Sequence, residues 1–302
     1  MRIGDLPLES GAVLRDCAVT YRSWGRLNAA HDNAILFPTF FNGTSEDLAA
    51  YVRSGSILDP ADFYVLAVDA LGNGSSTSPS NYAPAPGRNF PRLTIGDMVQ
   101  SQRRLCERLG LREVEAIVGI SMGGMQMFEW LVRDPEFARA GVSIVSTPRM
   151  SERDVALWAQ AFLLVRRRDP EPEGSARTPS PPGQLTRMLG ILGAVIHQAP
   201  KYRDPFNAIR QFEAVSRHDI TRLSGGDLRA AAQRIRAPVL TIIATQDQAV
   251  SPETAREIAR LKGWPVLELD GPQGHNIYKA EAARIGRAIG QFLAQRRIQA
   301  AR

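Results

Sequence analysis

The sequence contains few cysteines and no long apolar segment, and both absences narrow the class of protein. Its two cysteines, Cys17 and Cys106, are too few for a disulfide framework, which excludes the small secreted domains that depend on one. No run of 18 apolar residues occurs, and the start of the chain lacks the apolar core of a signal peptide. We therefore expect a cytoplasmic protein that does not enter a membrane.

Basic residues are in modest excess, but they are not gathered into a binding surface. The formal net charge is +6, and apart from residues 166–168 and the arginines near the C-terminus the positive charges are scattered. No aromatic residues are interleaved with them, so we predict solvated surface charge and no nucleic-acid partner. We also predict no metal site and no bound cofactor.

The length of the chain favours one α/β domain with an insertion. At 302 residues and 44% hydrophobic content it can bury a large core. Apolar strand patterns alternate with helical patterns in residues 1–150 and 237–302, which predicts a core domain whose mostly parallel sheet has helices on both faces. The predicted strands lie at residues 12–22, 33–38, 63–69, 116–119, 141–146, 238–245 and 265–269.

Residues 151–236 interrupt this alternation. They contain helical pieces at 155–165, 185–197 and 207–216 but no strand pattern. The segment 169–183 is too polar and too rich in proline to pack, so we expect it to be exposed. We predict that the whole insertion is a helical lid over the site, and it is our candidate surface for a homodimer.

Two helices have recognisable ends or faces. Thr94 is the predicted N-cap of a helix with Asp97 at position N3, an acidic variant of the capping box, and Gly110 stops this helix. Cys106 falls on its apolar stripe. The closing helix is predicted over residues 279–295. The residues predicted for its buried side are Ala283, Ile285, Ile289, Phe292 and Leu293.

A serine flanked by glycines lies between a predicted strand and a predicted helix. The pattern is Gly119-x-Ser121-x-Gly123, preceded by an apolar run and followed by a helical pattern over residues 122–132. Such a strand–turn–helix raises the serine Oγ above the carboxyl end of a parallel sheet, and the tight turn has no room for a Cβ on the glycines. The N-terminal N–H groups of the helix stabilise negative charge at the same point. The pattern predicts a nucleophilic serine.

An acid and a base follow in the chain order that such a serine requires. Asp247 ends a predicted strand, and His275 ends the short loop after the last one. Each residue alone has an ordinary interpretation, Asp247 as a loop or capping acid and His275 as a loop histidine. The order serine, acid, histidine after successive strands nevertheless predicts a catalytic triad. The loop at residues 39–44 follows another buried strand, and its N–H groups are candidates for half of an oxyanion hole.

Three segments resemble one family. They are residues 21–28 with the Asp32-Asn33 pair, residues 90–102, and the run Ser-Met-Gly-Gly-Met-Gln that begins at Ser121. The last run is the most specific of the three, because it is far rarer than a glycine-flanked serine alone. The chain is similar to the homoserine O-acetyltransferase branch of the α/β-hydrolases, and the similarity is weak across the lid. The resemblance implies an α/β-hydrolase fold.

The resemblance also implies roles for particular residues. By it, Ser121, Asp247 and His275 match the family's triad. The oxyanion hole would be formed by the backbone N–H groups of Phe41 and Met122.

The chain departs from this family at two places that bear on the substrate. Where the acetyltransferases have a Cys-His-Ala-Leu-Thr-Gly type of loop, this chain has Pro-Thr-Phe-Phe-Asn-Gly, so Phe40 and Asn42 are candidates for the substrate pocket. After the catalytic histidine the family has an aspartate, and this chain has Asn276. The missing carboxylate removes a charged hydrogen bond to an ammonium group, worth roughly 1.5–3 kcal/mol. We therefore do not expect homoserine as the acceptor.

Three functions are compatible with these residues. A short-chain carboxylic ester hydrolase would transfer the acyl group to water. An O-acyltransferase would transfer it from an acyl-CoA co-substrate to an alcohol that is not an amino acid, and the arginines at 166–168 would favour it if they lined a channel for a CoA phosphate. A relative that only binds ligands would usually have lost a triad residue. We favour the hydrolase, with a small-molecule ester or acyl donor as its partner.

Overall fold

The structure is a computed structural model, and it describes residues 1–166 and 205–300. Its strands are β1 (Arg2–Pro7), β2 (Val13–Ala18), β3 (Tyr21–Trp24), β4 (Ala34–Pro38), β5 (Tyr64–Val68), β6 (Ala116–Ile120), β7 (Gly141–Ile144), β8 (Val239–Ala244) and β9 (Val266–Leu269). Its α-helices are α1 (Ser45–Leu48), α2 (Ile95–Arg108), α3 (Met122–Arg133), α4 (Glu152–Arg166), α5 (Pro205–Ser216), α6 (Leu228–Arg234), α7 (Glu253–Lys262), α8 (Ile277–Ala280) and α9 (Ala282–Ala300). Within these ranges, no helix has the length and apolar character needed to cross a lipid bilayer.

Seven strands form the central sheet, in the order β3-β5-β4-β6-β7-β8-β9. Only the β3–β5 pair is antiparallel, and every other neighbouring pair is parallel. The strands β1 and β2 form a separate antiparallel pair. The mostly parallel sheet predicted from the alternating pattern is confirmed.

Both faces of the sheet are covered, as the run of buried residues in β4 illustrates. Successive side chains of a strand point to opposite faces. Ile35 and Phe37 accordingly join the apolar cluster that contains Ile285 of α9, whereas Leu36 joins the cluster that contains Met98 of α2. A strand buried on both sides must be apolar at every position, which explains why these strands show no alternation.

The predicted start of α2 is confirmed in detail. The Thr94 N–H donates to Asp97 Oδ2 at 2.9 Å, and the Asp97 N–H donates to Thr94 Oγ1 at 3.0 Å, which completes the capping box. Asp97 Oδ1 also accepts from the Glu9 N–H at 2.8 Å, so the cap ties the segment after β1 to the start of α2. The buried position predicted for Cys106 is confirmed.

The insertion is described only at its two ends. The helices predicted at 155–165 and 207–216 correspond to α4 and α5. The helix predicted at 185–197 and the proline-rich segment 169–183 lie outside the described residues. The division of the chain into a core domain and a lid stays a prediction.

One strand near the start of the chain was not predicted, and two predictions about the closing helix were wrong. The strand β1 was not anticipated, because a register shift at Gly4 disturbs its alternation. The closing helix is not continuous from residue 279, since α8 ends at Ala280 and α9 begins two residues later. Ala283 is exposed. The buried stripe of α9 contains Ile285, and a residue two positions away lies about 200° around a helix.

Candidate active site

Ser121 occupies the sharp turn between β6 and α3. Its backbone has φ 53° and ψ −121°, a region that non-glycine residues rarely adopt. The turn is held in place because the Ser121 N–H donates to the carbonyl oxygen of Ile144 in the neighbouring strand at 2.9 Å. This conformation is the strained strand-to-helix turn expected for a raised nucleophile.

The two flanking glycines are required by close backbone contacts. A Cβ on Gly119 would overlap the carbonyl group of Gly123, and a Cβ on Gly123 would lie 2.5 Å from the carbonyl oxygen of Pro38. Real Cβ atoms do not come so close to backbone oxygen. The glycine spacing of the motif is therefore a packing requirement of the turn.

The structure brings together the three residues that the chain order pointed to. His275 Nε2 lies 2.9 Å from Ser121 Oγ, and His275 Nδ1 lies 2.7 Å from Asp247 Oδ2. Ser121 is 7% exposed and His275 is 8% exposed. The side chain of Asp247 is 1% exposed. A serine, a histidine and a carboxylate thus form one hydrogen-bonded line that just reaches the surface.

The orientation of the Asp247 carboxylate is determined by the loop that follows it. Its Oδ1 accepts from the N–H groups of Ala249 at 2.8 Å and Val250 at 3.0 Å. Both donors lie within three residues of the acid, so the loop closes on its own side chain. The other oxygen, Oδ2, is thereby directed to His275.

The residue directly before His275 is a glycine with positive φ. Gly274 has φ 51°, and a Cβ on it would lie 2.8 Å from the carbonyl oxygen of Gln246, in the loop that ends with Asp247. The glycine lets the histidine loop pass close to the acid loop, which sets the short distance between the histidine and the acid.

The candidate oxyanion donors belong to two segments that one side chain joins. Met122 is the first residue of α3, and Phe41 lies in the loop after β4. The Gln126 amide donates to the carbonyl oxygens of Thr39 at 2.9 Å and Met122 at 3.2 Å, so it fastens the loop to the first turn of the helix. Neither candidate N–H group has a hydrogen-bond acceptor within residues 1–166 and 205–300. This is the state expected of oxyanion donors before a ligand binds.

The candidate pocket residues have different surroundings. Phe40 is half-buried, and its ring lies against Gly43. Asn42 is buried with φ 54°, and its N–H donates to Gln211 Oε1 at 2.7 Å. Its own Oδ1 has no hydrogen-bond partner in the described part of the chain. Asn276 is half-buried directly after His275.

Two further side chains support the site and were not identified from the sequence. Trp158 of α4 donates its indole N–H to the carbonyl oxygen of Ala249 at 2.7 Å, and its ring meets that of Phe41 edge to face. Gln211 of α5 is buried, and it bonds the loops after β4 and β5. Its signal is a polar residue on the buried helix face that also carries Asn207, Ala208 and Ala214, which alone does not identify a partner. No group of three or more metal-ligating side chains comes together in the part of the chain that the structure describes.

Comparison with known proteins gives a consistent result over nearly the whole chain. A model of the α/β hydrolase fold family matches residues 35–282. An ethyl acetate hydrolase of Pseudomonas veronii is 31% identical over 280 residues, which cover 82% of this chain and 80% of that protein. A homoserine O-succinyltransferase of Methylibium petroleiphilum is 28% identical over 358 residues, which cover 96% and 91%. The solved structure of an acetylester hydrolase from Corynebacterium glutamicum matches with a TM-score of 0.83 at 25% identity, covering 98% of this chain and 94% of that one.

Proposed function

The chain belongs to the α/β-hydrolase fold family, and on that premise we propose that it hydrolyses short-chain carboxylic esters, acetyl esters in particular, through an acyl-enzyme. The observation that carries the proposal is the line from Ser121 Oγ through the His275 ring to Asp247, with both distances under 3 Å. The fold alone would not suffice, because one fold supports many reactions.

The reaction begins with proton transfer from the serine. His275 Nε2 accepts the Ser121 proton as Oγ attacks the acyl carbonyl, and Asp247 holds the tautomer that leaves this nitrogen free. The N–H groups of Phe41 and Met122 stabilise the oxyanion, each worth about 3–4 kcal/mol in comparable sites. His275 then donates the proton to the leaving alcohol, and water cleaves the acyl-enzyme by the same steps in reverse. These steps need no cofactor.

Two features support water as the acceptor. The ethyl acetate hydrolase and the acetylester hydrolase are similar over most of the chain. Asn276 beside the histidine is uncharged, so an amino-acid ammonium group brought there would lack a partner to offset its desolvation. The homoserine O-succinyltransferase relative favours the alternative, an O-acyltransferase that takes an acyl-CoA co-substrate and an alcohol.

The decisive experiment is a competition for the acyl group. Purified protein receives a saturating acetyl donor, p-nitrophenyl acetate or acetyl-CoA, together with homoserine or one of a panel of neutral alcohols. Free acetate and acetylated product are followed by mass spectrometry. We expect acetate release from the ester and no acetylated homoserine. Fast acetylation of a neutral alcohol with little acetate would establish the transferase instead, and rapid acetylation of homoserine would overturn the interpretation of Asn276.

The Ser121→Ala variant is the control for this experiment. Intact-protein mass after incubation with the activated ester should show an acetyl adduct on the wild type only, because the variant retains the fold but lacks the nucleophile. An adduct that persists in the variant would show that Ser121 is not the attacking residue. Replacement of His275 or Asp247 by Ala should lower kcat by orders of magnitude, with Asp247 the milder change.

A further inference from the structure

Trp158 contacts both loops on which the candidate mechanism depends. It lies on α4, at the start of the inserted segment, and is 3% exposed. Its indole N–H donates to the carbonyl oxygen of Ala249 at 2.7 Å. Its ring meets the ring of Phe41 at 5.4 Å between centroids and an interplanar angle of 83°. One buried side chain therefore touches the loop of the acid and the loop of a candidate oxyanion donor.

The first contact is with Ala249, a residue that also holds the Asp247 carboxylate. The Ala249 N–H donates to Asp247 Oδ1, and the Ala249 carbonyl oxygen accepts from the Trp158 indole N–H. One turn earlier on α4, Asp154 Oδ2 accepts from the Ser251 N–H at 2.9 Å. The helix thus holds this loop at two points, Ala249 and Ser251, which lie two and four residues after Asp247.

The second contact is with Phe41, in the loop at residues 39–44 that carries a candidate oxyanion donor and is called the oxyanion loop below. The Trp158 ring is stacked near-parallel to that of Phe212 on α5, at 6.2 Å and 19°. The residue before it, Gln211, accepts from the Asn42 N–H and donates to the carbonyl oxygen of Leu71 at 3.0 Å. The oxyanion loop is therefore bound through the Phe41 side chain and through the next backbone N–H to helices of the inserted segment.

We propose that Trp158 is a positioning residue of the active site. Its indole N–H holds the loop that aims Asp247 at His275, and its ring holds the loop that carries the Phe41 N–H. The helices α4 and α5 then help to complete the catalytic geometry. The proposal rests on the proposed function, because it assumes that these two loops serve acyl transfer from Ser121.

The first test is Trp158→Phe, which removes the N–H donor and keeps an aromatic ring against Phe41. Loss of one positioning hydrogen bond should lower kcat about fivefold to tenfold. KM should stay within about twofold, because the bond contacts no substrate. Trp264→Phe is the matched control, because Trp264 is a buried tryptophan that lies beside Lys262 between α7 and β9. Its kcat should equal that of the wild type.

A double-mutant cycle identifies the residue through which the N–H acts. In an Asp247→Asn background, Trp158→Phe should lower kcat by less than about twofold, because the acid is no longer there to be aimed. Trp158→Leu, which also removes the ring, should retain a further loss in that background through the oxyanion loop. An unchanged kcat in Trp158→Phe, or the same loss with and without Asp247, would overturn the proposal.

A second readout separates this proposal from the identity of the substrate. The rate at which a fluorophosphonate probe labels Ser121, measured by intact mass, depends on the activated serine and not on the natural ester. Trp158→Phe should slow labelling by the same factor as kcat. If the wild type is labelled but hydrolyses no ester, the proposed function fails while the labelling rates still decide the role of Trp158. A wild type that is not labelled would refute both proposals.

Discussion

His218 should make the folded protein sensitive to acid. This residue, just after α5, is 3% exposed, and neither ring nitrogen has a hydrogen-bond partner of good geometry within the described ranges. Burial, reinforced by the nearby charge of Arg222, lowers the pKa of His218 to about 3, although the backbone of Thr147 opposes the shift. The folded protein therefore holds this histidine neutral under conditions in which an exposed one is charged.

The sign of the effect follows from proton binding in the two states. In the unfolded chain the histidine binds a proton below its ordinary pKa of 6.5, whereas in the folded protein it does so only near pH 3. Because the unfolded state binds more protons in this window, the free energy of unfolding falls as the pH falls through it. Each pH unit costs about 1.4 kcal/mol, so lowering the pH from about 6.5 to about 4.5 should cost about 3 kcal/mol.

A buried carboxyl group acts in the opposite direction, so the wild type alone cannot isolate this effect. Burial raises the pKa of Asp97 from 3.8 to about 6. The folded state therefore binds a proton on Asp97 before the unfolded state does, and this stabilises the fold as the pH falls through the same window. Burial also raises the pKa values of Glu129 and Asp154. The difference between wild type and a His218 variant cancels these contributions.

The measurement is urea unfolding of wild type and His218→Gln near pH 7.5 and near pH 4.5. We expect the wild type to lose about 3 kcal/mol more than the variant between the two conditions. His31→Gln is the matched control, because His31 is an exposed histidine, and its curve should follow that of the wild type. Parallel pH dependences for wild type and His218→Gln would show that His218 is not kept neutral by the fold.

Two further pairs of substitutions test a close backbone contact in the nucleophile turn and a buried ion pair. Gly119→Ala should lower the free energy of unfolding by about 3 kcal/mol or more, since its Cβ overlaps backbone, whereas Gly290→Ala in open space on α9 should raise it by about 0.5–1 kcal/mol. Urea unfolding measures both, and equal effects would contradict the overlap. Glu129→Ala should cost about 1–3 kcal/mol, because it removes the buried carboxylate that Arg133 and Arg222 share, although both arginines are partly exposed and keep Glu9 as a partner. Glu136→Ala, in an exposed ion pair, should change stability by less than about 0.5 kcal/mol, and thermal melts that fail to separate the two would refute this ranking.

Periodicity and chain order were sufficient to predict those features that one general rule relates to the sequence. The inner strands β4 and β6 are continuous apolar runs, and the capping box of Thr94 and Asp97 lies within four residues, so both could be predicted. The proximity of Ser121 to His275, 154 residues apart, could be expected because successive parallel strands end at one edge of the sheet. In each case one general rule links the sequence to the position.

The supporting contacts could not be predicted, because they join side chains that no local rule relates. Trp158 and Ala249 are 91 residues apart, and Gln211 and Asn42 are 169 residues apart. In sequence, Trp158 is one apolar position on an amphipathic helix, a place that ordinary core packing would also fill. Its partner is a backbone carbonyl, which every residue has. Only the fold selects which carbonyl is within reach.

These contacts bear on how one scaffold serves both water and alcohol acceptors. An ethyl acetate hydrolase and a homoserine O-succinyltransferase are about equally similar to this chain, and an acyl-enzyme can in general pass its acyl group to water or to an alcohol. The acceptor is therefore selected after that step, by groups near His275, which must deprotonate it. Asn276 follows the base directly, and the loop of Phe41 is held by helices of the inserted segment. A substitution at Trp158 can thus alter the loop that carries Phe41, whereas a substitution at Asn276 alters the charge beside His275.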